Sequence, residues 1–138
     1  MNKKFAVAWL IVFVAWMCGS FLVHAILLQD SYGSTPALFR TPEDSQRYFP
    51  YMLLGHVIMA GALVWIYQRG REPKPWVAQG ARFGVAIALL HIVPMYLIYY
   101  AVQPLHGNTV VRQIVFDGAL VILLGMLVAF LYRDAPSA

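Results

Sequence analysis

Four ionisable side chains stand inside otherwise apolar stretches of the chain: His24, His56, His91 and Asp117. An ionisable group surrounded by hydrocarbon is costly, so it is expected to face a partner, a wet cavity or a ligand. Asp117 offers the most chemistry. Its carboxylate can pair with a protonated His24 or His56, take up a proton, or hold a cation. Gln113 precedes it by four residues and shares its helix face. Two histidines at one depth on different helices, His24 and His56, could also ligate a b-type haem or a metal ion. His91 lies three residues before Pro94. Proline removes a backbone donor and frees the carbonyl of Leu90, and a helix kinked there can line a cavity. For each of these groups the competing reading is structural: one internal hydrogen bond or ion pair joining two helices.

The known catalytic spacings are missing. There is no His-x-x-His, Glu-x-x-His or His-Glu-x-x-His, no glycine-rich phosphate loop and no serine-centred elbow. No catalytic residue is therefore assigned, and the chain reads as a non-enzymatic protein. The one cysteine, Cys18, has no partner for a disulfide and is expected to be a small packing residue.

The elements that must position these groups follow from the solvent that the composition demands. Hydrophobic residues make up 61% of the 138 and charged residues 12%, about half of the roughly 25% that a water-soluble domain carries. Four apolar stretches approach the roughly 20 residues that a membrane span needs: about 5–28, 48–67, 81–102 and 110–132. The first begins after Lys3 and Lys4, and Val23-His24-Ala25 loosely fits a leader-cleavage site. Its apolar run is too long for a leader core, so it is read as a retained span. None of the four alternates with period two, which excludes a membrane barrel. Backbone groups in hydrocarbon must pair internally, which leaves helices.

The connections around Pro73 and Pro104 are short, so the spans are expected to run up and down in a four-helix bundle. Lys3, Lys4, Arg69, Arg71, Lys74, Arg82 and Arg133 fall at one end of this bundle. Arg40, Arg47 and Arg112 fall at the other. That asymmetry places both termini in the cytoplasm. It also accounts for the net charge of +4 without any nucleic acid. The outer link, about 29–47, holds Thr41-Pro42-Glu43-Asp44, a helix start with an N-cap, a first-turn proline and acids at the positive helix end. Either a short surface helix begins there, or the second span starts early and bends at Pro50; the second reading is preferred.

Small residues mark where helices should approach closely. Gly80, Gly84 and Ala88 share one face of the third span, and Gly118 and Gly125 lie seven apart on the fourth. Packing within the bundle is preferred to a dimer surface. Tyr96, Tyr99, Tyr100 and Trp76 bracket the third span as interfacial anchors do.

Trp16-x-x-Gly19, Pro94 and Phe116-Asp117-Gly118-Ala119 give the chain a pattern that resembles an uncharacterised family of bacterial four-helix membrane proteins. The aromatic pair and proline that follow the first tryptophan there are replaced here by Cys18, Gly19 and Ser20. The resemblance implies a topology and no activity.

The expected protein is an all-α membrane bundle, residing in a bacterial inner membrane. Its expected partners are the bilayer and either its own copies or a larger membrane complex. It would act as an accessory subunit, or as a small-ligand binder through a polar layer in the outer half. Alternatives are a haem- or metal-binding redox protein and a small oligomeric proton-linked transporter in which Asp117 titrates.

Overall fold

In the computed structural model residues 3–133 are described. No strand occurs among them. Four helices are long and apolar enough to cross a membrane: α1 (Lys3–Leu27), α3 (Pro42–Gly70), α4 (Trp76–Val102) and α5 (Gly107–Leu131). A short helix, α2 (Gln29–Gly33), and a 3₁₀ turn at Pro36–Leu38 link α1 to α3. At 25 to 29 residues each, the long helices measure roughly 37–44 Å, against roughly 30 Å of bilayer hydrocarbon.

Their outer surfaces are apolar. Leu10 is 62% exposed, Leu90 75% and Val102 72%. The polar side chains that are buried instead, Ser31, Thr109, Gln113 and Asp117, gather toward the α1–α3 link. Cys18 lies on the exposed side of α1 and not in the packing.

The start of α3 follows its local sequence. Thr41 accepts the amide of Asp44 at 3.2 Å, Pro42 stands in the first turn, and Glu43 and Asp44 meet the positive helix end. The helix then runs unbroken through Pro50, so the link and the second span share one helix.

The short connections make neighbours antiparallel. Lys4 Nζ sits 5.3 Å from the Tyr132 ring, and Arg71 donates to the Tyr132 carbonyl at 3.2 Å. The start of α1 and the end of α5 therefore share one end of the bundle. Arg112 donates to Ser31 Oγ and the Leu27 carbonyl at the other, at 2.7 and 2.6 Å.

Glycine decides which helices touch by backbone. A Cβ on Gly84 would stand 2.5 Å from the Ile122 Cα, one on Gly80 2.7 Å from the Met126 Cα, and one on Gly125 2.8 Å from the Gly84 Cα. The α4–α5 contact is thus built inside one chain. Ala88 continues that buried face. Gly118 is different: it is buried, but a Cβ there would meet nothing within 4 Å, so it is not a point of close approach. On the other flank the Trp9 indole N–H donates to the Val57 carbonyl at 2.8 Å, its ring covering Gly61, and this ties α1 to α3. The α3 and α4 backbones have no comparable packing. Their side chains meet near the α3–α4 turn, where Tyr67 donates to Gln79 and lies edge-on to Phe83.

Candidate functional site

Two helices lose their regular winding, and each does so at a histidine. In α1 the Leu28 amide donates to the Val23 carbonyl, five residues back, and Leu22–Leu27 forms a π-helical turn around His24. In α4 the Val93 amide donates to the Ala88 carbonyl, again five back, and Ala88–Ile92 forms a π turn around His91. The second has a local cause. Pro94 has no N–H, and its ring crowds the carbonyl of Leu90, so the ladder must shift just upstream. Single π turns inside α-helices concentrate at functional sites.

Both turns border one cavity of about 490 Å³ between α1, α3 and α4, with Asp117 of α5 in its wall. His24, His56, His91 and Asp117 all line it. The rest of the lining is aromatic or flexible. Trp16, Phe21 and Phe49 contribute rings, and Met17, Met52, Met59 and Met95 are four of the chain's six methionines. Methionine adapts its shape to irregular apolar contents. A second depression of about 510 Å³ lies at the other end of the bundle, where Arg71, Glu72 and Lys74 face solvent.

The polar groups of the cavity form an ordered chain. The Tyr96 hydroxyl donates to Asp117 Oδ2. His24 Nε2 lies 3.4 Å from Asp117 Oδ1. His24 Nδ1 pairs with the Tyr32 hydroxyl, 2.6 Å away, and the Tyr32 oxygen accepts from Gln113 Nε2 at 3.3 Å. Gln113, Tyr32, His24 and Asp117 thus follow one another in a line of polar contacts, with Tyr96 on the far side of Asp117. The carbonyl oxygen of Gln113 is buried without a partner, as is the Thr35 hydroxyl among the described residues. Burial holds the Tyr32 phenol above its ordinary value; Gln113 lowers it and the Asp117 charge raises it further. The Tyr32 link to the solvent side is therefore a neutral hydroxyl.

His56 belongs to a separate pair. Its Nδ1 faces the Met52 carbonyl at 2.8 Å and must be the protonated nitrogen; its Nε2 then accepts from Ser20 Oγ at 3.0 Å. The Trp16 ring lies edge-on at 6.4 Å. Asp117 therefore pairs with His24 and not with His56. The two histidines read as a ligand pair each have both ring nitrogens occupied by protein. Among the described residues no three His, Cys, Asp or Glu side chains come together as a metal site.

His91 is the exception. It lines the cavity, it is exposed, and no hydrogen bond to either ring nitrogen occurs among the described residues. Tyr96 departs from its expected place as an interfacial anchor. It is 6% exposed, with its hydroxyl on Asp117. The sequence signal for it was available: Tyr96 lies five residues past His91, beyond the proline, at a depth that matches Asp117 on an antiparallel neighbour. Tyr32 and Ser20 carried no such signal, because their roles depend on the course of the α1–α3 link and on the α1–α3 packing.

Comparison of the chain with protein families, with curated proteins and with solved structures finds no match, so the site stands on its own geometry.

Proposed function

We propose that this chain spans a bacterial cytoplasmic membrane as four helices, with both termini inside, and binds a small lipid-soluble ligand in the cavity between α1, α3 and α4. The apolar outer surface and the segregation of basic residues to the end shared by Lys4 and Arg71 support the placement. In this orientation the polar chain from Gln113 to Asp117 lies in the outer half of the bundle. The ligand enters from the bilayer between α3 and α4, whose backbones do not pack together.

One observation carries the binding reading. His91 presents an imidazole with no protein partner to a cavity at membrane depth. A polar ring without a partner is expensive in hydrocarbon. A purely structural histidine would have been paired, as His24 and His56 are.

The test uses protein purified mildly from its own membrane. Extraction and mass spectrometry should recover a lipophilic compound in near-equal amount to the protein. Filling the cavity with Met95→Trp should remove it while the helical fold is kept. A wild-type preparation that carries nothing, and gains no thermal stability from any lipophilic compound, would sink the reading. The same sample answers the haem and metal alternative: a Soret band or a stoichiometric metal would make His91 an axial or metal ligand instead.

A further inference from the structure

We infer that the ligand of this cavity is a lipophilic monovalent cation, held by Asp117 and released when a proton takes its place. The inference rests on the binding reading above and names its ligand class.

Charge is the first argument. Asp117 is the one carboxylate in the cavity wall, and neither lysine nor arginine lines it. A phosphate, carboxylate or sulfonate head would meet a like charge in a medium of low dielectric, with no permanent cation in the wall to offset it. Only uncharged and cationic ligands remain.

The charge of Asp117 decides between these two. Two side-chain donors of the wall have no acceptor among the described residues, the indole N–H of Trp16 and the N–H of His91, while the O–H of Tyr96 is given to Asp117 and the N–H of His56 to the Met52 carbonyl. A neutral ligand could take both donors but would leave the carboxylate charge uncompensated in a medium of low dielectric, whereas a cation cancels it. The rings of Trp16, Phe21 and Phe49 add faces that attract positive charge, and four thioethers add polarisable contact.

The groups that face Asp117 set the exchange with protons. His24 comes from α1, Tyr32 from α2, and Tyr96 from α4; His56 of α3 and His91 of α4 face it across the cavity. Arg112, on Asp117's own helix, is turned away to Leu27 and Ser31. A proton on either His24 or Asp117 cancels the single charge of the wall. Cation binding should therefore strengthen as pH rises.

The experiment uses the full chain in nanodiscs of phosphatidylcholine, which carry no net charge. Binding of tetraphenylphosphonium, its isosteric anion tetraphenylborate, and neutral decylubiquinone is measured directly and by the shift in unfolding temperature. Tetraphenylphosphonium should bind at one saturable site, weakening about tenfold per pH unit once the wall group protonates. Asp117→Asn should lose it at least tenfold while remaining folded. Should that variant fail to fold, the pH dependence in the unaltered chain, and its change in His24→Gln, decide the matter. Equal or tighter binding of the anion, binding of the neutral quinone alone, or pH-independent cation binding would overturn the cation assignment and leave the cavity a binding site. Failure of all three probes to bind a folded protein would overturn both.

Discussion

His24 Nε2 and Asp117 Oδ1 stand 3.4 Å apart and join the first and last long helices across the wall of the cavity. The contact lies within the π turn of α1. Regular winding would turn His24 to a different direction around the helix, so the irregular turn and the pair form one feature. His24 takes part through a half-exposed ring, whereas Asp117 is buried. The pair therefore has one side toward the cavity and one in the packing.

Because His24 stands between Tyr32 and Asp117, bonded to one and in ion-pair range of the other, their contributions should not add. Single variants Tyr32→Phe and His24→Gln, combined with Asp117→Asn in double-mutant cycles, should show coupling of about 0.5–3 kcal/mol in unfolding free energy. Additive effects would mean that the three do not act as a unit.

The Tyr96 hydroxyl donates to Asp117 Oδ2. Tyr96→Phe keeps the ring and leaves a buried carboxylate oxygen without its donor, which should cost about 1–3 kcal/mol. Thermal unfolding in detergent would measure it. Tyr99→Phe, on the exposed side of α4, should change stability little.

Glycines in these helices should divide sharply. Gly84→Ala and Gly125→Ala force a methyl group against backbone, and overpacking of this kind costs about 1–3 kcal/mol. Gly118→Ala meets open space and should be neutral, or stabilising through helix propensity by up to about 1 kcal/mol. A Gly118 variant as damaging as the Gly84 one would contradict the packing described here.

Alkaline pH should act through Tyr32. Its phenol is raised above 10.0 by burial, so folding favours the protonated form. The stabilisation is complete below pH 10 and is lost as pH rises through the folded value. Tyr32→Phe should flatten that alkaline decline; an unchanged pH profile would place the loss elsewhere.

Removing the N-cap should fray the start of α3. Thr41→Ala leaves the Asp44 amide without its acceptor, at a cost of about 1 kcal/mol. Faster amide exchange confined to the first turns of α3 would report it, with the half beyond Pro50 unaffected.

Much of the molecule was legible from local rules. Apolar runs of membrane length can satisfy their backbones only as helices, so four of them had to form. The Thr41-Pro42-Glu43-Asp44 start and the packing of Gly80, Gly84 and Gly125 are likewise written in residue types, because caps and close approaches depend on a few neighbouring atoms. The cost of polar groups in hydrocarbon singled out His24, His56, His91, Gln113 and Asp117, and the histidines and Asp117 all reach one cavity.

What the sequence determined by itself is therefore the inventory: helices, their caps, their contact faces and the polar groups that need partners. Only the tertiary structure decided the partners. Asp117 faces His24 and Tyr96, His56 faces Ser20, and His91 faces the cavity unpaired. These outcomes depend on the rotation of each helix about its axis. Two π turns reset that rotation partway along α1 and α4, and the fixed 100° step per residue on which sequence patterns rely no longer holds across them.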